Sequence, residues 1–287
     1  MQTGKRWYWL GGIVLMTVGM SGCGDHSNQS GNGNPALSWQ IDSPEDDPTL
    51  KNVGMPDPEG DQIREQNRAK LATGGFQAAG TLPTLNHRAG ISGNLRAPRE
   101  IALRLMSLKA LYVWVAAPAD AVPSDRITAY VNKNQLHSHL TSGEQKILAM
   151  PREQAHAEFS NTIGWRLENM WALAWLLGYE TPPDAMSGQL SEQVIDTVLF
   201  EFLPNLDSTI DDLMQKIRPR PREEVVQLED LFYCAHNAVR SAQTGSTNTV
   251  PAGFDPIADG GAIHERRHSL TWAISEGVAW DDTDLST

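Results

Sequence analysis

The segment His264-Glu265-Arg266-Arg267-His268 has the residue types and the spacing that could hold a catalytic metal ion. Residues four positions apart on a helix lie about one turn apart on the same face, so His264 and His268 could share a tetrahedral Zn²⁺. Glu265 could then take a proton from water bound to that metal. The segment therefore raises the hypothesis of a zinc-dependent hydrolase with Glu265 as its catalytic base.

This pattern matches the HExxH motif of zinc metallopeptidases, but the rest of the chain gives it little support. A third protein ligand is required, and the acidic residues that follow the motif fall at no spacing typical of that class; they are Glu276, Asp281, Asp282 and Asp284. The sheet edge that binds peptide in such enzymes is also missing, because the apolar spacing here is helical. We therefore predict no metal cofactor and keep the zinc hydrolase as the alternative.

The elements that must position these residues are helices, since apolar residues recur at intervals of three and four along most of the chain. Proline opens several of these segments, and glycine suits the position just after a helix. Helices are predicted over 97–115, 151–178, 221–245 and 262–276, with shorter ones over 126–135, 192–202 and 207–217. A small hairpin over 111–122 is the main competing interpretation. The pattern predicts an all-α fold.

The N-terminus has the three parts of an export signal. Lys5 and Arg6 give a positive region, residues 7–20 are largely apolar, and Met20-Ser21-Gly22-Cys23 places small residues before a cysteine. The apolar run is shorter than the roughly 20 residues that a membrane-spanning helix requires. This end resembles the lipobox of bacterial lipoproteins. The resemblance implies cleavage of the signal peptide 1–22 and lipidation of Cys23, with diacylglyceryl on its sulfur and often a third acyl chain on its amine, enough for stable anchoring. Secretion without lipid is the alternative.

The lipobox resemblance implies a location in the cell envelope, with the membrane as a partner through the lipid anchor. Gly24, rather than Asp, follows the cysteine, which resembles lipoproteins forwarded to an outer membrane and facing the periplasm if the organism is Gram-negative. Residues 23–60 combine the lipidated cysteine with a segment rich in Ser, Asn, Gly and Pro, which predicts a flexible, disordered tether. Residues 61–83 are a transition that could be helical, and 84–287 are predicted to form a single all-α domain.

The chain is acidic, with a formal net charge of −12. Loss of residues 1–22 removes Lys5 and Arg6 and no acidic residue, which takes the charge from −12 to −14. No basic stripe exists to neutralise phosphates, so nucleic acid is not an expected partner. With Cys23 carrying lipid, Cys234 has no partner for a disulfide, and stability has to come from burial of the core. The expected protein partner is an envelope protein of open identity.

Motifs distributed along the chain resemble a single protein family. In order they are Arg99-Glu100-Ile101-Ala102-Leu103-Arg104, Gly143 to Leu148, Trp165 to Gly178, Glu229-Asp230-Leu231-Phe232-Tyr233 with His236, Glu265-Arg266 leading to Leu270-Thr271-Trp272, and Trp280-Asp281-Asp282 with Asp284. Together they are similar to the domain-of-unknown-function family 4272 over about 84–287. In this resemblance His264 has no family counterpart and Arg267 stands where the family often has His, so the zinc motif is incidental to the shared features. The resemblance implies no particular activity.

Polar residues of these motifs form the second candidate site: Arg104, Arg166, Glu168, Asp230, His236, Glu265 and Arg266. One interpretation is that the charged members of this set, together with Glu229, lie inside a helical core and pair with one another, because buried charges require partners. The alternative is that the acidic residues and the histidine line a pocket beside Trp side chains, as a functional site would need. The first interpretation favours an interaction or structural module of the cell envelope, which is the predicted function.

Overall fold

The computed structural model describes residues 49–287, and it shows an all-α domain. The helices are α1 Pro58–Thr73, α2 Pro98–Ala116, α3 Ser124–Lys133, α4 Ser142–Ala149, α5 Arg152–Phe159, α6 Trp165–Leu176, α7 Glu192–Asp196, α8 Ile210–Met214, α9 Arg222–Gln243 and α10 Ala258–Ala273. Over residues 49–287 there are isolated β-bridges but no strand, so the predicted all-α fold class is confirmed. The predicted signal peptide, Cys23 and most of the tether lie outside the described residues.

Helix α6 lies at the centre of the core. Its sequence carries apolar side chains on every face, and all residues from Leu167 to Leu176 are buried. Helices α2 and α10 pack against it, and α10 also packs against α9, which in turn contacts α1. A helix that is apolar all round is stable only when neighbours cover every side, and this arrangement supplies them.

The single helix predicted over 151–178 is wrong, because the structure divides this segment into α5 and α6. Helix α5 ends at Phe159, and residues 160–164 form turns before α6 begins at Trp165. The connecting residues Ser160-Asn161-Thr162-Ile163-Gly164 have low helix propensity, because short polar side chains compete for backbone hydrogen bonds and glycine is flexible. The break allows both helices to pack against α2.

Helix α1 begins inside the segment predicted as tether and covers much of the predicted transition 61–83. Asp57 caps its N-terminus by accepting a hydrogen bond from the Gly60 amide. Although α1 is mostly polar, Arg64 and Asn67 are buried against α9. Asn67 donates to the Gln227 carbonyl oxygen at 2.8 Å. Polar contacts, which leave no apolar periodicity in the sequence, therefore place the start of the folded domain before residue 84.

The remaining boundaries differ in detail from the predicted ones. Helix α9 matches the predicted 221–245, whereas α10 begins and ends earlier than 262–276, and α8 is shorter than 207–217. The hairpin alternative over 111–122 is wrong, because α2 continues to Ala116. Helix α4 was not predicted, although Thr141 and Glu144 form a capping box that marks its start. In the described part of the chain, no helix is both long and apolar enough to cross a membrane.

Candidate functional site

The HExxH segment lies on helix α10, but its side chains do not converge on one point. The rings of His264 and His268 have centroids 6.5 Å apart. His268 Nε2 lies 2.9 Å from the Trp280 carbonyl oxygen, and the His268 ring packs on the Trp280 ring at 4.3 Å. Glu265 Oε2 lies 4.0 Å from Arg166 Nη1, beyond hydrogen-bonding distance. The histidines and glutamate thus face different surroundings.

The contacts of His236 fix which of its ring nitrogens carries a proton. Arg267 Nη1 lies 2.5 Å from His236 Nδ1, and a guanidinium group can only donate, so Nδ1 must accept. Burial, followed by the charge of Arg267, lowers the pKa of His236 to about 2, which keeps the ring neutral. A neutral ring with an accepting Nδ1 carries its proton on Nε2. That nitrogen lies 3.4 Å from His264 Nδ1 and donates to it. We call this series of hydrogen bonds, from Arg267 to His236 and from His236 to His264, the histidine relay.

The histidine relay leaves the zinc hypothesis without a suitable set of ligands. A metal-binding histidine needs a free lone pair on the nitrogen that faces the ion. His236 Nε2 carries a proton, His264 Nδ1 accepts that proton's hydrogen bond, and His268 Nε2 donates to Trp280. Over residues 49–287, no group of at least three His, Cys, Asp or Glu side chains has an arrangement that could hold a metal ion. The residues present do not fit a zinc centre.

The predicted polar cluster is divided among separate ion pairs. Within the cluster, Glu168 Oε2 accepts from Arg266 Nε at 2.7 Å. Two members take partners from outside it: Asp230 pairs with Arg64 at 2.6 Å, and Arg104 pairs with Glu144 at 2.6 Å. Arg166 is half-buried and lies 4.0 Å from both Glu144 and Glu265. Apart from Glu144 and Arg166, which link Arg104 to Glu265 in one series of charges, the structure holds these residues in separate pairs and does not bring them all together around one cavity.

A further buried pair joins Arg88, which was not predicted, to Glu229, which was predicted only as a charge in need of a partner. Two guanidinium nitrogens donate to the two carboxylate oxygens at 2.9 and 2.5 Å. Thr271 Oγ1 also donates to Glu229 at 2.8 Å. Burial alone would raise the pKa of Glu229, but the charge and hydrogen bonds of Arg88 outweigh it and hold that pKa below its usual value. The carboxylate is therefore ionised in the core.

The ring of Tyr233 lies beneath several of these cations. The guanidinium carbons of Arg88, Arg267 and Arg64 lie 4.2, 4.7 and 5.2 Å from its centroid. The negative face of an aromatic ring attracts a cation, most strongly where water is excluded. Tyr233 thus helps to hold arginines from three parts of the chain close together despite their like charges.

An open pocket of about 500 Å³ lies beside the histidine relay, between α9, α10 and residues 285–287. It is lined by His236, Asn237, Arg240, Ser241, Thr244, His264, Leu285, Ser286 and Thr287. Arg267 holds the wall formed by the last of these residues, because it donates to the carbonyl oxygens of Leu285 at 2.8 Å and Ser286 at 3.0 Å. None of the residues lining the pocket is Asp or Glu.

The pocket combines two residues of the predicted candidate sites with several that sequence reasoning missed. His236 was predicted for a polar pocket and His264 only as a metal ligand, whereas Arg240 and Arg267 were assigned to neither candidate site. A signal for Arg240 existed, because it lies four positions after His236 and so shares its face of α9. Arg64 and Arg88 had no such signal, because their partners are distant in the sequence.

The fold and the site define an all-α domain with buried arginine–carboxylate pairs and an open pocket rich in hydrogen-bond donors. The chain belongs to the family described as Domain of unknown function (DUF4272), whose model matches residues 63–283. This match confirms the predicted resemblance and extends it into α1. No curated protein and no solved structure matches the chain.

Proposed function

We propose that the protein is a lipid-anchored protein of the cell envelope whose helical domain is a binding module and not a hydrolase. The observation that carries this proposal is that neighbouring polar residues of α10 have different surroundings. Arg266, Arg267 and His268 are held by structural partners, whereas His264 lines an open pocket. A binding function needs such a pocket with fixed donors, while hydrolysis would also need an activated nucleophile or metal.

The cysteine of α9 gives further support, because it is poorly suited to nucleophilic catalysis. Cys234 is completely buried. Burial, together with the nearby charge of Asp230, raises the pKa of its thiol to about 12. The thiolate is the reactive form, so this residue is inert at neutral pH and behaves as a small apolar side chain.

Lipid attachment to Cys23 is supported by the order of the N-terminal residues. A positive start, an apolar run too short to span a membrane and small residues before the cysteine together favour export with acylation. In the proposed arrangement, the residues after Cys23 connect the lipid to the helical domain. A domain tethered in this way can meet a ligand or partner near the membrane without inserting into it.

Replacing Cys23 with Ser is expected to abolish fatty-acid labelling of the protein, because the acceptor sulfur is lost. Cells producing the full chain would be fed an alkyne-tagged palmitate, and label on the isolated protein would be measured after coupling to a fluorophore. Cys234→Ser is the matched control, since it removes the other cysteine of the chain and should keep the label. Full labelling of the Cys23→Ser chain would contradict the anchor.

The full chain, purified in detergent and equilibrated with zinc, is expected to retain far less than one equivalent of metal. The histidine nitrogens nearest one another are committed to hydrogen bonds, so no ligand set is free. Elemental analysis would compare this chain with His264→Ala and with the exposed control His137→Ala. One equivalent of zinc that is lost in His264→Ala but kept in His137→Ala would instead support the zinc hydrolase.

A further inference from the structure

We propose that the pocket between α9 and α10 binds a small oxyanion, the chemical group that phosphates and carboxylates share. This inference names a ligand class for the binding function proposed above and rests on it. It combines three features of the pocket: a buried cation without a direct ion pair behind one wall, a histidine whose free nitrogen donates, and a lining that has hydrogen-bond donors and no acidic side chain.

The first feature is the charge of Arg267, which is 1% exposed. Among residues 49–287 it forms no ion pair with a carboxylate, and its donors go to His236 and to backbone carbonyl oxygens. Burial lowers its pKa to about 10, so the group stays charged at neutral pH. The negative charges of Glu229 and Asp284 act in the opposite direction and raise the pKa of Arg267. An anion in the adjacent pocket would be attracted by it.

The second feature is the direction of hydrogen bonding at His264. Its Nδ1 accepts from His236, so His264 is neutral in this arrangement and carries its proton on Nε2. Burial and the charges of Arg267 and Arg240 lower the pKa of His264, with Glu265 opposing them. Nε2 is therefore a donor, and it has no hydrogen-bond partner in the described part of the chain. The pocket therefore offers a hydrogen-bond donor to an acceptor at this position.

The third feature is the set of donors along α9. Arg240 is exposed at the rim, and only its Nη1 is engaged, with Gln243 at 2.8 Å. The Asn237 side-chain oxygen accepts from the Ala79 amide at 2.9 Å, which leaves the Asn237 amide group free to donate. Donors of this kind around a cation recognise oxyanions through charge-assisted hydrogen bonds.

The test measures binding of inorganic phosphate and of acetate to the full chain in detergent by isothermal titration calorimetry at constant ionic strength. We expect saturable 1:1 binding of at least one anion. Arg240→Gln should weaken it by about tenfold or more, because a charge-assisted contact is lost. The matched control is Arg126→Gln, an exposed arginine of α3 paired with Asp207, which should bind like the parent chain. Preference between the two anions would identify the source of the oxyanion.

A second variant separates the pocket from a general charge effect. His264→Ala removes the donor without changing the net charge, and it should weaken binding while circular dichroism and the melting temperature without ligand show that the fold is kept. Absence of saturable binding of both anions would overturn the inference, as would equal weakening by Arg240→Gln and Arg126→Gln. Neither result would affect acylation of Cys23 or the zinc content, so failure here is distinguishable from failure of the proposed function.

Discussion

Replacing Glu229 with Ala is expected to lower the free energy of unfolding by about 3–5 kcal/mol. The Glu229 carboxylate is completely buried and accepts two hydrogen bonds from Arg88 and one from Thr271. Its removal leaves the Arg88 guanidinium, itself only 5% exposed, without a counter-charge in the core. Urea unfolding followed by circular dichroism would measure the loss.

Two comparisons make this result specific to the pair. Glu180→Ala removes an exposed carboxylate and should change the free energy of unfolding by no more than about 0.5 kcal/mol. Combining Glu229→Leu with Arg88→Met removes both charges, and apolar replacement of a whole buried pair is often neutral. The double variant should therefore recover much of the stability. A loss in Glu229→Ala no larger than in Glu180→Ala would contradict the pairing interpretation.

The pair of Arg88 and Glu229 also determines how the free energy of unfolding changes as the pH is lowered. The pKa of Glu229 is lower in the folded chain than in the unfolded one, because Arg88 outweighs the effect of burial. Its contribution to stability is therefore complete above the unfolded pKa and is lost as the pH falls through the folded pKa. The difference in stability between the parent chain and Glu229→Gln should accordingly shrink as the solution is acidified below about pH 4.

Replacing Glu168 with Ala is expected to cost a similar amount, about 3–5 kcal/mol, and to lower the melting temperature clearly. Glu168 joins three parts of the fold. One carboxylate oxygen accepts from Arg266 at 2.7 Å, and the other accepts from the Leu190 amide at 3.0 Å. Arg266 is 0% exposed, so loss of its counter-charge leaves an unpaired cation between α6 and α10.

Two further variants define the origin of that loss. Glu168→Gln keeps an oxygen for the Leu190 amide but removes the charge, and it should fall between the parent chain and Glu168→Ala. Glu265→Ala should lower the melting temperature by less, since Arg166 lies 4.0 Å from Glu265 and is only half-buried. An unchanged melting temperature in Glu168→Ala would show that this carboxylate is not structural and would return it to the functional-pocket interpretation.

Much of the fold could be predicted because helices depend on patterns among residues that are close together in the sequence. The apolar spacing and the bounding Pro and Gly residues indicated α2 and α9 and the all-α class, and the unbroken apolar run of α6 indicated a central helix. The break between α5 and α6 was missed because apolar residues lie on both sides of it. Helix α1 was missed in part because it is held by polar contacts, which have no period in the sequence.

The candidate site could be predicted only as a set of residue types. Buried charges were expected to need partners, and Glu168 with Arg266 fulfils that expectation within the predicted cluster. The partner of Asp230 is Arg64, however, on a helix far away in the chain. Sequence spacing cannot identify such a partner, because nothing local relates the two positions.

The amino-acid sequence by itself determined the helical class, the central position of α6 and the family resemblance, because each depends on residues that are close together in the chain or on motifs in a fixed order. Only the tertiary structure decided the rest. Helix packing places Arg267 within hydrogen-bonding distance of His236, and His236 within hydrogen-bonding distance of His264. Residues of the zinc-like motif therefore belong to the histidine relay beside an open pocket. The physical reason is that the role of a histidine depends on which of its ring nitrogens carries the proton. The hydrogen-bond partners that decide this are placed by helix packing.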